Sequence, residues 1–125
     1  MHGWIGVDLD GTLMHYEGNA DIMGEPIPVM VQRVKNWLRN GREVRIFTAR
    51  VSIKDVQKCE LINQAIRAWC LRHIGVELAV TCVKDVNCEQ IWDDKAIRVI
   101  KNTGLSESEY NRLRKAGRTR RIGGK

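Results

Sequence analysis

Asp8 and Asp10 stand two residues apart at the end of the apolar run Trp4-Ile5-Gly6-Val7, and Gly11 and Thr12 follow them. In an extended chain, residues two apart project to the same side, so the two carboxylates would face one place. A strand buried in a parallel sheet is apolar throughout, and open α/β sheets bind ligands beyond the carboxyl ends of their strands. The pair therefore reads as acid chemistry delivered at a strand tip. Gly11 permits a sharp turn that brings backbone N–H groups toward an anion, and a divalent cation would stabilise neighbouring carboxylates. Alone, the same residues also fit a solvated Asp-Gly hairpin turn, and later segments must decide.

Three more segments end in reactive residue types. Val44 to Phe47 leads into Thr48-Ala49-Arg50, Leu78 to Val83 into Lys84-Asp85, and Gln90-Ile91-Trp92 into Asp93-Asp94. Each begins as a short β-prone stretch, and a parallel sheet would gather all four tips at one edge. Taken singly they are weaker: Thr48 also suits a helix cap, Lys84 a surface charge, and Arg50 either a substrate phosphate or base or a surface ion pair.

The intervening segments have helical patterning. Pro26-Ile27-Pro28 opens a helix whose apolar stripe is Met30, Val34, Trp37 and Leu38, and Gly41 closes it. Ser52 with Asp55 resembles a capping box, after which Cys59, Ile62, Ile66, Trp69 and Cys70 keep helical spacing up to Gly75. Ala96, Ile97 and Ile100 predict a further helix stopped at Gly104. Ser106-Glu107-Ser108-Glu109 is a capping box for a short terminal helix, with Leu105 and Tyr110 at the positions of a hydrophobic staple. Met14 to Glu25 reads as an irregular loop or small hairpin over the site, with His15 and Tyr16 at its mouth. Strands alternating with helices give an α/β, three-layer, Rossmann-like parallel sheet with helices on both faces. One catalytic domain over residues 1–117 is expected, with a basic tail over 118–125.

Composition narrows the functional classes. A hydrophobic fraction of 43% suits a globular protein, and no apolar run approaches the roughly 20 residues of a membrane span. The N-terminus lacks a secretory layout, so a cytoplasmic location is expected. Cys59, Cys70, Cys82 and Cys88 form no CxxC pair and no finger-like set with histidine, which reads as buried free thiols rather than zinc or a redox dithiol. The formal charge of +6 is uneven: Tyr110 to Lys125 carries +7, leaving the rest at −1. A near-neutral body with a basic tail differs from a uniformly basic nucleic-acid binder.

In order and spacing, the four tips resemble the haloacid dehalogenase superfamily of aspartyl phosphatases, whose first motif is Asp-x-Asp-x-Thr/Val. Here that motif is Asp8-Leu9-Asp10-Gly11-Thr12, and the resemblance covers about Gly3 to Gly104. It implies that Asp8 is the nucleophile, forming an aspartyl-phosphate, and that Asp10 is the general acid that later activates water. It implies that Thr48 and Lys84 complete the catalytic set, Thr48 hydrogen-bonding the phosphoryl oxygens and Lys84 balancing charge. Leu9, Gly11, Thr12, Ala49 and Arg50 would line the substrate. Mg2+ would be held by Asp8, the backbone carbonyl of Asp10 and Asp94, with Asp93 orienting water or Lys84. Lys95 is the rival cation.

Larger members of this superfamily insert cap domains after the first motif or between the second and third. Met14 to Glu25 and Val51 to Thr81 leave no room for one, so the resemblance is to a small capless phosphatase. An open site admits a phosphate on a nucleic-acid end or a protein as well as a small phosphomonoester, nucleotides included. The alternative from another class is a nucleic-acid-binding module on a degenerate phosphatase fold, using Arg112 to Lys125.

Overall fold

The computed structural model describes residues 3–117. Four strands, β1 (Trp4–Val7), β2 (Glu43–Phe47), β3 (Ala79–Thr81) and β4 (Cys88–Trp92), pair in parallel in the order β3-β2-β1-β4. Helix α1 (Pro28–Arg39) joins β1 to β2, α2 (Val56–His73) joins β2 to β3, and α3 (Glu107–Lys115) follows β4. The described residues form a small α/β, Rossmann-like fold and include no cap domain. Of the described residues, those up to Asp94 form one compact unit and those from Lys95 form a second. No helix among the described residues is long and apolar enough to cross a membrane. The basic tail over 118–125 lies outside the described residues.

Register decides which side chains make the core of the first unit. Ile5 lies opposite Val44 and Val7 opposite Ile46, so these four share one sheet face. Met30, Val31 and Val34 of α1 and Ile66, Trp69 and Cys70 of α2 pack into the same cluster. On the opposite face Trp4 is fully buried, its ring 6.4 Å from that of Phe47 and 4.5 Å beneath the Arg45 guanidinium. Gly6 makes room for that ring, because a Cβ there would lie 2.9 Å from Trp4 Cζ3.

The link from β3 to β4 contains no helix. Residues 82–87 bring Asp85 onto Trp4 Nε1 at 2.8 Å and onto Arg45 at 3.6 Å, and the Asn87 carbonyl accepts from the Trp4 N–H. The connector thus crosses the Trp4 face and returns the chain to the N-terminal end of the sheet.

Two expectations change in the helices. Asp55 is the N-cap of α2, accepting from Lys58 N at 3.0 Å, whereas Ser52 closes the preceding 3-10 turn by donating to the Ala49 carbonyl. The helix expected from Ala96 to Gly104 does not form. Val99 instead bridges Ser106 antiparallel, Ile100 N–H donates to the Leu105 carbonyl, and Asn102 and Gly104 take positive φ. Ile97 and Val99 are exposed, so no buried stripe supports so short a helix against its nucleation cost. The capping box of α3 forms as expected, with Ser106 and Glu109 each accepting from the other's backbone N–H.

Candidate functional site at the β1–β4 switch point

The sheet grows from β1 toward β2 and β3 on one side and takes β4 on the other. In open parallel sheets a crevice forms at such a reversal, outside the carboxyl ends of the strands. Here Asp8 N–H donates to the Trp92 carbonyl at 2.8 Å, which sets the end of β1 beside the end of β4. Asp8, Asp93 and Asp94 each present a carboxylate oxygen, and the three oxygens lie within 4.8 Å of one another.

Local structure brings Asp94 in. Thr12 Oγ1 donates to Asp94 Oδ1 at 3.2 Å, and Gly11 turns the chain at φ 80°. A Cβ on Gly11 would stand 2.8 Å from Asp94 Oδ2, so the missing side chain is what admits this carboxylate. The Asp8 carboxyl is pushed up to about 7, first by burial, then by its hydrogen bond with Asp94 and the like charge of Asp93; the Leu9 N–H opposes this. Three hard oxygen donors around a half-buried acid suit a divalent cation such as Mg2+.

Asp10 has different company. Arg50 meets it in a bidentate pair, Nε to Oδ2 at 2.8 Å and Nη2 to Oδ1 at 2.7 Å. The same guanidinium donates from Nη1 to the Ala20 carbonyl at 2.8 Å and from Nη2 to the Ile22 carbonyl at 3.0 Å, and its side chain is 7% exposed. Arg50, expected to line the substrate or make a surface ion pair, is instead an inward tether between Asp10 and the loop above it. Its fork geometry matches a carboxylate, and its further N–H groups match the loop carbonyls.

Thr48 is buried at the tip of β2. Its Oγ accepts from Arg50 N at 3.1 Å as the cap of the 3-10 turn Ala49–Val51, which leaves its own proton to donate elsewhere. Ala49 opens that turn, its carbonyl accepting from Ser52 N. The Leu9 side chain is buried, and its carbonyl accepts from Leu13 and Met14 N–H groups at 3.0 Å. Gly11 N–H donates to the Met14 carbonyl at 2.9 Å, and Thr12 N–H points to the Leu9 carbonyl. These two donors close the turn rather than facing a ligand.

Lys84 is not brought to the carboxylates. It is exposed on the connector, where its charge acts on Cys88, and Cys88 pairs with Trp4 at the far end of the sheet from Asp8. Strand β3 stops at Thr81, before the expected Val83, and the chain has already turned down the Trp4 face at Lys84. Lys95, the rival, belongs to the second unit.

Sequence reasoning did not foresee how the loop over the site is anchored. His15 N–H donates to the Glu25 carbonyl, Met14 bridges Pro26 antiparallel, and Trp69 Nε1 of α2 donates to the Gly24 carbonyl at 2.9 Å. Gly24 passes so close that a Cβ would fall 1.9 Å from the His15 carbonyl oxygen. Between this loop and α2 lies a cavity of about 190 Å³ bordered by Met23, Arg50, Lys58 and Leu61. The loop from Met14 to Glu25 was visible in the sequence, but the carbonyls that Arg50 binds carry no side-chain signal.

No family model matches the chain, and no curated protein does. Its fold is similar to the solved structure of a conserved protein from Bacteroides thetaiotaomicron, with a TM-score of 0.53 and 16% identity, covering 98% of this chain and 97% of that chain. At this identity the likeness is one of fold.

Proposed function

We propose that the protein is a magnesium-dependent phosphomonoester hydrolase of the haloacid dehalogenase type that works through an aspartyl-phosphate on Asp8. The observation that carries this reading is the meeting of Asp8, Asp93 and Asp94 within 4.8 Å at a topological switch point. Asp8, Asp93 and Asp94 would hold the Mg2+, which supplies charge stabilisation to the phosphoryl oxygens.

Asp8 in its ionised form attacks phosphorus, and the leaving-group oxygen departs with a proton from Asp10. Each Asp10 oxygen faces an Arg50 donor and keeps a second lone pair that a transferred proton can occupy, while Arg50 fixes the carboxyl plane. Asp10 then takes a proton from the water that opens the acyl phosphate. Thr48 donates its hydroxyl proton to a phosphoryl oxygen while accepting from Arg50 N. Lys84, placed elsewhere, has no part in this version of the mechanism.

The absence of a cap domain supports substrates with a bulky leaving group, nucleotides or nucleic-acid ends among them, and the basic residues from Arg112 onward favour a polyanion. Wild-type protein should hydrolyse p-nitrophenyl phosphate with Mg2+, and Asp8→Asn should lower the rate on the order of a thousandfold or more. Undiminished turnover in that variant would refute the assigned nucleophile. Salt-sensitive nucleic-acid binding without turnover, lost on removing residues 112–125, would favour the binding module instead.

A further inference from the structure

Cys59 and Cys82 are far apart in sequence and point at the same atom. Cys59, in the first turn of α2, has its sulfur 3.4 Å from the Val51 carbonyl oxygen; Cys82, just past β3, has its sulfur 4.0 Å from that oxygen. Because both lengths end on one oxygen, the sulfurs cannot be farther apart than the two laid end to end. Cys82 is exposed and Cys59 half-buried. The other two cysteines are placed differently: Cys70 is buried in the core, and Cys88 opens β4 with its sulfur turned toward the Gln90 carbonyl.

We infer that Cys59 and Cys82 are an oxidisable dithiol that closes to an intramolecular disulfide across the turn carrying Thr48 and Arg50. The oxidant is a hydroperoxide, hydrogen peroxide in the simplest case. The Cys82 thiolate attacks a peroxide oxygen; the O–O bond breaks, leaving a sulfenic acid on Cys82 and one water. The Cys59 sulfur then attacks the Cys82 sulfur, and the sulfenic oxygen leaves as a second water with the Cys59 proton. Two thiols lose two electrons and one peroxide gains them. An accessible cysteine with a second thiol beside it is the arrangement that favours a disulfide over further oxidation of the first sulfur.

Closure draws both sulfurs from the Val51 carbonyl and ties the start of α2 to the end of β3. Val51 ends the 3-10 turn whose cap is Thr48, so the modification acts on the backbone that positions Thr48 and Arg50. The bond itself does not depend on the proposed phosphatase chemistry, and its test reads no turnover.

The test is thiol mapping of the full chain. Folded protein is treated with hydrogen peroxide, blocked with N-ethylmaleimide after unfolding, and digested with trypsin without reduction. The sequence places Cys59 in the peptide 59–67 and Cys82 in the peptide 73–84, with Cys70 and Cys88 in others. The expected product is 59–67 joined to 73–84 in monomeric protein, with Cys70 and Cys88 both alkylated. Dithiothreitol should abolish it, and so should Cys82→Ser, a substitution at an exposed position. Alkylation of both Cys59 and Cys82 after peroxide, Cys82 found only as sulfinic acid, or links between chains in place of the internal one would each overturn the inference.

Discussion

Asp8 and Asp10 belong to the same short motif, and the fold surrounds them with opposite charges. Asp8 sits with Asp93 and Asp94, and burial, its hydrogen bond with Asp94 and the like charge of Asp93 push its carboxyl up to about 7. Asp10 sits against the Arg50 guanidinium, which answers both of its oxygens and ties it to the loop above. The difference arises from strand order. The end of β1 has β4 and its two acids on one side and β2, with the turn bearing Arg50, on the other. A motif of two similar acids thus becomes a cation-seeking carboxylate and a cation-supplied one.

Removing the cation from the second environment should have the largest effect on stability. Arg50→Gln leaves the Asp10 carboxylate without its bidentate partner and the loop without two anchors, and should cost about 2–3 kcal/mol in denaturant unfolding. Hydrogen exchange should rise over residues 19–23, and Arg50→Lys should restore only part of the loss because it cannot make the fork. Unchanged exchange in that loop would show that Arg50 is not its tether.

In the first environment, Asp94→Asn removes one hard oxygen ligand and should weaken Mg2+ binding, read by calorimetry, on the order of tenfold to a hundredfold. Binding equal to wild type would take Asp94 out of the metal set. Gly11→Ala probes the same corner through the backbone. With φ at 80° and Asp94 Oδ2 2.8 Å from the new carbon, it should destabilise the protein by about 1–2 kcal/mol.

The smallest effect is pH-linked. Asp8 in the metal-free fold keeps a proton that the unfolded chain has already released above the ordinary carboxyl value of 3.8. The folded state therefore binds more protons over that window, and stability must fall as pH rises from about 4 to about 7. The loss should be of order 1 kcal/mol once solvent screening is allowed for. Melting curves in chelator should show it; Mg2+ or Asp8→Asn should flatten it.

Much of this arrangement was legible in the chain. The apolar run before Asp8, the Pro-opened and Gly-closed helix, and the capping box at Ser106 are local signals, and each produced its element. The acid cluster was legible because two strand tips carry it and parallel sheets align tips. Lys84 was misplaced because that rule needs the strand's end, and Thr81 to Val83 is β-prone throughout while the chain turns for a tertiary reason, the docking of Asp85 on Trp4. The apolar residues from Ala96 to Ile100 kept helical spacing without a surface to bury them. Of the four thiols only Cys70 is buried, and the convergence of Cys59 and Cys82 on the Val51 carbonyl depends on α2 and β3 lying side by side, which no spacing in the sequence encodes.

In the proposed mechanism Asp8 carries the phosphoryl group. Turnover with a phosphomonoester and Mg2+ can be quenched in mid-reaction with borohydride, which reduces an acyl phosphate to homoserine, and the N-terminal tryptic peptide sequenced by mass spectrometry. The proposed mechanism predicts homoserine at position 8 in wild-type protein and none without substrate. Steady turnover with Asp8 recovered unmodified, or with the reduced residue at Asp10, Asp93 or Asp94, would contradict it.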